Sequence, residues 1–501
     1  MPKPKQERKF IRHPSCSVKN YGCHKPTLPN LLRALNERVF NVVGPKGEIA
    51  PTPAAAAGVW MRLDGTSKLL ARKVRESLPH VQRLTVDEFV EQCPAQKRAI
   101  YVQAGQEYLQ RGVGPRDSKL RAFVKFEKIL FEKSGPKADP CPRLIQPRSP
   151  VYNVALGRYT RRVEKELYTA LRDVWVAEEG EEIVMKGMTV VEVASQLRRK
   201  WEFFRDPVAV GLDASRFDQH IGEEALEFEH SIYERVYKDS PDFGELRWLL
   251  EQQRNNRGSA FLDGFRVDYE IKGTRASGDM NTGLGNCLIM SSLVHRYVVE
   301  RGVKAKLANN GDDCLVFMER ADLQRFSDGL KEWFLVYGLN MKAEDPSYAF
   351  EECEFCQMRP VWSGSEWVMV RNPYSAISKD TMALGFTERE YLQWVRAVGT
   401  CGMALYGDMP LFSALYHNMS KSGIKSNVHR TNIALNSGWI YWHQLRGRVT
   451  KTAIDNSCRI SFAKAFNISP QRQIEIEDAL KALSFNGCVD ASLGDEHCLF
   501  C

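Results

Sequence analysis

A chain of 501 residues with 43% hydrophobic and 26% charged residues has the composition of a globular protein. Its length exceeds what one hydrophobic core organises, so two or three subdomains are expected. The net charge of +8 suits a groove that holds a polyanion, but many proteins without a nucleic-acid partner share it. No apolar run reaches the roughly 18–20 residues that span a bilayer. The longest stretch, Cys287 to Val299, is broken by Ser291, Ser292, His295 and Arg296.

Thirteen scattered cysteines with no signal peptide ahead of them read as reduced thiols in a cytosolic compartment. Two C-x-x-C pairs, Cys353/Cys356 and Cys498/Cys501, stand far apart and read as packed or tail thiols rather than a shared zinc site.

In chain order, the basic stretch through Arg12 reads as a flexible arm and Pro51 to Gly58 as a surface loop. Helical spacing runs from Lys68 to about Leu109, followed by a loop over Ser134 to Pro142. Tyr159 to Val174 is predicted as a helix, and Val208 to Leu212 as an apolar strand leading into Asp213. Leu226, Ile232, Tyr233 and Val236 give the next helix a buried stripe. Leu284 to Val299 reads as a buried helix. Val303 to Ala308 and Cys314 to Met318 flank Asn309-Asn310-Gly311-Asp312, which reads as a β-hairpin with an Asn-Gly turn. Beyond Arg371 the pattern is mainly helical. The sequence lacks a G-x-x-x-x-G-K-[ST] loop, which argues against a fused helicase.

Two-metal phosphoryl transfer needs carboxylates from separate segments converging on ions about 3.5–4 Å apart. Gly211-Leu212-Asp213-Ala214-Ser215-Arg216-Phe217-Asp218 offers one at a strand end, and Gly311-Asp312-Asp313 offers two in a tight turn. On this reading Asp213 and Asp312 bridge Mg²⁺ ions and Asp313 assists. Taken alone, either motif is weak: an isolated acidic triplet is usually a solvated hairpin tip, and D-x-x-x-x-D a strand end before a helix cap.

Order and company change that. The 211–218 segment, then Ser277-Gly278-Asp279-Met280-Asn281-Thr282 with Asn286, then 311–313, resemble polymerase motifs A, B and C. Phe123 to Lys128 and Pro142 to Ile145 resemble motif F, Asn340 to Glu344 motif D, and Glu354 to Gln357 motif E. The chain is similar to plant-virus RNA-dependent RNA polymerases of the tombusvirus and carmovirus group, with luteovirus relatives. Leu35 to Phe40 and Ser378 to Asp380 fit as well, so the resemblance covers roughly residues 30 to 420.

The resemblance implies an α/β (α+β) right-hand fold with fingers, an antiparallel-sheet palm and a helical thumb. Expected bounds are an N-terminal arm and fingers extension at 1–60, fingers at 61–205, palm at 206–222, a fingers insertion at 223–265, palm again at 266–370, and thumb and tail at 371–501. Asp218, with Asn286, would recognise the ribose 2′-hydroxyl. Ser277 and Gly278 would form a loop that watches the nascent pair, supported by Thr282; the plainer use of Ser277 or Asp279 is to cap the following helix. Lys125, Lys128 and Arg143 would neutralise the triphosphate. Lys342 would be the general acid toward pyrophosphate, and Cys356 and Gln357 would grip the primer backbone.

Mg²⁺, replaceable by Mn²⁺, is the implied cofactor. The implied partners are RNA template and product, ribonucleoside triphosphates, a viral auxiliary replication protein and host factors. Membrane association would come only through partners or upstream sequence, at replication complexes in the host cytoplasm, and initiation would need no primer. Two other readings compete. A reverse transcriptase would be expected to carry an aromatic gate at Asp218. An RNA-binding scaffold would not need Asp213, Asp312 and Asp313, because carboxylates repel phosphate unless metals intervene.

Overall fold

The apolar run before Asp213 is the strand Pro207–Ala214, and it organises a four-stranded antiparallel sheet. It lies between Asp313–Glu319 and Met341–Ala343, with Ala305–Asn310 at the far edge. The computed structural model describes residues 10–13, 21–44, 47–132, 138–384, 388–424 and 453–485. Cys498 and Cys501 lie outside these.

Both faces of the sheet are buried, which is why its strands read as apolar runs rather than alternating ones. Val208, Val210, Leu212, Val316 and Met318 join one core with helices Pro150–Val174, Glu223–Tyr237 and Thr282–Arg301. Ala209, Leu315 and Phe317 join a second core with helices Val190–Glu202, Glu388–Tyr406, Phe412–Lys421 and Asn456–Phe466.

The helix expected from Tyr159 begins earlier, at Pro150. Ser149 Oγ accepts from the Tyr152 amide at 3.1 Å and Pro150 takes the first helical turn. Val151 to Thr160 are buried without interruption, so this end carries no polar face for periodicity to reveal. The region from Lys68 to Leu109 divides into three helices, Asp64–Ser77, Val86–Glu91 and Ala95–Arg111. Within the basic arm, Phe10–Arg12 forms a strand that pairs antiparallel with Met382–Leu384. Strand Asn255–Leu262 pairs with Phe265–Lys272, so the boundary expected at 265 falls inside a hairpin turned at Asp263 and Gly264. Among the described residues no helix is long and apolar enough to cross a membrane.

Two buried polar networks fix the segments that flank Asp213 and Asp218. In the first, Glu181 accepts from Lys200 Nζ at 2.8 Å and from Lys306 Nζ at 2.6 Å, with Lys200 fully buried. It ties the 176–188 connection to helix 190–202 and to the edge strand. That connection also adds to the sheet beside the edge strand: Met185 N donates to Asn309 O at 2.9 Å, and Asn309 N to Ile183 O at 2.8 Å.

The second network backs the 276–282 loop. Arg148 Nε donates to Asp279 Oδ1 at 2.7 Å and Gln253 Nε2 to Asp279 Oδ2 at 3.0 Å. Gln253 Nε2 also reaches Asn281 Oδ1 at 2.7 Å, Asn281 Nδ2 donates to Glu229 at 2.7 Å, and Arg275 pairs with Glu229. His230 Nε2 bonds Gln253 Oε1 at 3.1 Å. Asp279 is therefore an ion-pair partner, not the cap of helix 282–301, whose N-cap position, Asn281, makes no side-chain cap bond.

Replacing Lys200 with Met leaves Glu181 buried with one cation, and urea unfolding should record a loss of roughly 3 kcal/mol. A change under about 0.5 kcal/mol would show that the triad does not anchor the 176–188 connection. Burial, helped by Arg275 and Arg254, lowers the His230 pKa from 6.5 to about 4. The unfolded chain then binds a proton that the folded chain refuses, so stability is intact above pH 6.5. It should fall as pH drops toward 4, by on the order of 3 kcal/mol. In His230→Gln, which keeps a donor for Gln253, that slope should flatten; an unchanged slope contradicts the assignment.

Candidate active site

The carboxylates meet through strand register. Cys314 lies opposite Leu212, so Asp313, the next residue toward the turn, stands beside Asp213 on the neighbouring strand. On the other flank Lys342 pairs directly with Asp213. Asp312 sits at the tip of a two-residue turn closed by the Asn310–Asp313 pair.

The turn differs by one residue from the expected Asn-Gly. Its centre is Gly311-Asp312, with Gly311 at φ +92°, the arrangement that asks for glycine at the first central position. A turn one residue earlier would shift the register of every residue after it.

The charges interact. Burial raises the Asp312 carboxyl above the usual range, Asp218 and Asp213 raise it further, and Lys186 opposes them. Burial and then Asp312 raise Asp313, while Cys356 lowers it by donating from its thiol and backbone amide. Glu344 joins the group: burial first, then Glu354, Asp213 and Asp313, raise its carboxyl. Its side chain crosses Gly211, where a Cβ would come within 2.0 Å of Glu344 Oε2.

Among the described residues no three His, Cys, Asp or Glu side chains converge tightly enough to hold a metal on their own. The donor set is nonetheless all carboxylate oxygen, the chemistry that hard divalent cations such as Mg²⁺ take. That ion also keeps waters and substrate phosphates among its ligands. Asp213, Asp312 and Asp313 are the residues that would hold it. Cys353 does not join Cys356 in a site: its thiol faces the Ala349 carbonyl.

Beside the carboxylates, Asp218, Ser277 and Asn286 come together. Asn286 Nδ2 donates to Asp218 Oδ1 at 3.0 Å and Ser277 Oγ donates to Asp218 Oδ2. Asn286 Oδ1 is buried without a hydrogen-bond partner among the described residues. Thr282 Oγ1 donates to Ala276 O at 3.1 Å and so closes the loop base. Gly278 has φ +131°, and a Cβ there would lie 3.2 Å from the Pro147 backbone, so the loop packs against the 144–147 segment only with glycine.

The basic residues divide. Lys125 and Arg143 share Glu127, at 2.9 Å and 3.4 Å, across the strand pair Phe123–Val124 and Leu144–Ile145. Lys128 points elsewhere: its ammonium donates to Lys379 O and lies 5.3 Å from the Trp394 ring centroid. Burial lowers its pKa to about 8. Lys342 is exposed. Cys356 and Gln357 form a tight turn between Phe355 and Met358, both at positive φ; Gln357 is exposed, whereas Cys356 is turned toward Asn310.

Sequence reasoning passed over Lys186, Asn310 and Glu37. Lys186 Nζ donates to Asn310 Oδ1 at 2.9 Å. Glu37 accepts from Arg216, which stands in the left-handed region at φ +52°, directly before Phe217–His220, the helix carrying Asp218. Lys186 belongs to no motif. Glu37 stood within the quoted 35–40 stretch, and the π-helix Asn36–Phe40 there is a local signal of function.

A viral RNA dependent RNA polymerase family profile matches residues 1–487. An RNA-directed RNA polymerase of Oat chlorotic stunt virus (isolate United Kingdom) is 40% identical over 489 residues, covering 94% of this chain and 63% of that protein. Those of Tobacco necrosis virus (strain A) and Carnation mottle virus are 38% and 35% identical, covering 95% and 96% of this chain. The chain spans 64% and 61% of those two proteins, so it matches less than two thirds of each of the three. The chain belongs to the viral RNA-dependent RNA polymerase family.

Proposed function

We propose that this chain copies an RNA template into RNA from ribonucleoside triphosphates, replicating the genome of a positive-strand RNA virus. The observation that carries the proposal is the Asp218–Asn286–Ser277 cluster beside the carboxylates of Asp213, Asp312 and Asp313. Asn286 Oδ1, buried and unpartnered among the described residues, is an acceptor that a ribose 2′-hydroxyl can satisfy. A deoxyribose leaves it unpaired, which penalises the wrong sugar. An aromatic gate, expected of a reverse transcriptase, is replaced by Asp218.

Asp213, Asp312 and Asp313 would hold the divalent ions, Mg²⁺ or Mn²⁺. What such ions supply when bound is charge neutralisation at the attacking 3′-hydroxyl and the leaving pyrophosphate. Lys125 and Arg143 exchange Glu127 for triphosphate oxygens, Arg143 with its planar fork. Lys342, across the strand pair from Asp213, gives a proton to the leaving group. The right-hand arrangement fits the antiparallel sheet as palm, residues 61–205 and 223–272 as fingers, and the helices beyond 371 as thumb. Gln357 suits primer contact; Lys128, engaged with Lys379, braces fingers on thumb. Primer-independent initiation, an auxiliary viral protein, host factors and membrane-associated replication complexes in the cytoplasm, reached through partners or upstream sequence, complete the proposal.

Incubated with an unprimed RNA template, four ribonucleotides and Mg²⁺ or Mn²⁺, the chain should yield template-length product. Asp312→Ala should lose on the order of a thousandfold in rate, as removal of a metal carboxylate implies. Full activity in that variant would refute the proposal. Asn286→Ala should lower the preference for ribo- over deoxynucleotides by roughly tenfold, mainly through weaker ribonucleotide use. An unchanged ratio would remove Asn286 from sugar recognition.

A further inference from the structure

Asp218 stands on a single helical turn, Phe217–His220, and a lone turn does not form without outside support. Arg216, just before it, is a non-glycine residue at φ +52°. Such a conformation costs on the order of 1–3 kcal/mol and persists only where neighbours impose it. The neighbours here belong to one N-terminal stretch, which grips the turn on both sides of Asp218. On one side the Arg216 guanidinium donates to the Glu37 carbonyl and, at 3.4 Å, to Glu37 Oε2. The Glu37 carbonyl is among the last of helix Asn36–Phe40, which lack a helical partner. On the other side buried Gln219 donates through Nε2 to Asn41 O at 2.8 Å and to Thr52 Oγ1 at 3.0 Å. Thr52 Oγ1 in turn donates to Phe40 O at 3.3 Å.

That stretch has its own anchors. Arg33 Nε donates to Glu37 Oε1 at 2.8 Å, and Arg33 Nη1 to Asp139 Oδ1 at 2.6 Å. Arg38 donates to the carbonyls of Pro142 at 3.2 Å and Cys141 at 3.0 Å. Leu31, Ala34, Leu35 and Val39 share a core with Val124 and Leu144. We propose that Arg216 and Gln219 are positioning residues for Asp218, anchored on Glu37 and Thr52, and that they set the selection of ribose over deoxyribose; this rests on the function proposed above. Asn286 Nδ2 donates to Asp218 Oδ1 at 3.0 Å, and Asn286 Oδ1 is left without a partner among the described residues. An ionised carboxylate only accepts, so an Asp218 held in place admits only this orientation of the Asn286 amide. When the turn drifts, the amide is no longer held and its acceptor is no longer presented at one place. The bond that favours ribose then weakens, whereas a deoxynucleotide, which makes no such bond, loses little.

The test compares the full chain with Arg216→Met, Gln219→Met, Thr52→Val, Thr52→Ser, Asn286→Ala and the Arg216→Met/Asn286→Ala double variant. Single-nucleotide incorporation gives kcat/KM for a matched ribonucleotide and for its deoxy counterpart. The ratio of the two does not depend on how much of the enzyme is folded, so a variant that merely destabilises the chain leaves it unmoved. Arg216→Met and Gln219→Met should each lower the ratio by about fivefold, through weaker ribonucleotide use. Thr52→Val should lower it by about threefold. Thr52→Ser, which keeps the hydroxyl, should stay within about twofold of the unmodified chain. In the Asn286→Ala background Arg216→Met should change the ratio by less than about twofold, because both act on the same acceptor.

Arg216→Met and Gln219→Met both within about twofold of the unmodified ratio would overturn the proposal, even if activity toward both sugars fell together. So would effects of Arg216→Met and Asn286→Ala that multiply in the double variant. If Arg216→Met and Gln219→Met fail to fold, Thr52→Val against Thr52→Ser, a difference of one hydroxyl's presence, decides alone. An unmodified chain that incorporates no ribonucleotide, or an unchanged ratio in Asn286→Ala, overturns the reading of the site and this proposal with it. A chain that selects ribose through Asn286, with the Arg216 and Gln219 variants unaffected, overturns only the anchoring.

Discussion

Clustering of Asp213, Asp312, Asp313 and Glu344 at one end of an antiparallel sheet is the constraint to which the surrounding structure answers. Burial and the neighbouring like charges raise the carboxyls of Asp312, Asp313 and Glu344, which opposes the folded state. They meet because of register, and register is secured away from the site. Continuous apolar burial on both sheet faces leaves strand 207–214 no alternative partner alignment that keeps Val208, Val210 and Leu212 in one core.

Buried ion pairs anchor the segments that reach that end. Glu181 with Lys200 and Lys306 anchors the connection that delivers Lys186. Arg148 with Asp279, and Arg275 with Glu229, anchor the loop that presents Ser277 to Asp218. Buried pairs contribute little net stability, but removing one partner is costly, so they favour a single arrangement of the segments around the proposed site. Arg371, Asp380 and Tyr416 form a comparable lock at the start of the C-terminal helices, giving Arg371 a structural use that the sequence did not suggest.

The residues proposed to carry the chemistry were legible in the sequence. Asp213 at a strand end, the acidic hairpin, and Asp218 near Asn286 all follow from motif order, and the structure joins them. The strand 207–214 and the helix 282–301 were legible too, because both are long apolar segments. What escaped depended on contacts between distant segments. The turn centre moved from Asn310-Gly311 to Gly311-Asp312 because Asn309 and Asn310 are held by neighbours: Asn309 pairs with the 183–185 segment, and Asn310 bonds Lys186 and Cys356. Lys128 looked like its neighbour Lys125, but a carbonyl and an indole ring more than two hundred residues away claim it. Asp279 had the spacing of a cap and instead meets Arg148 from another segment.

The central claim is that acidic residues from two separated stretches share bound divalent cations. Iron-mediated cleavage addresses it directly: Fe²⁺ substituted for Mg²⁺, with peroxide and ascorbate, cuts backbone within reach of the bound ion. The account predicts breaks in both the 211–218 and 311–313 stretches of the same folded chain, suppressed together by excess Mg²⁺ and by Asp312→Asn. Cleavage confined to one stretch, or cuts at both that excess Mg²⁺ leaves untouched, would contradict it.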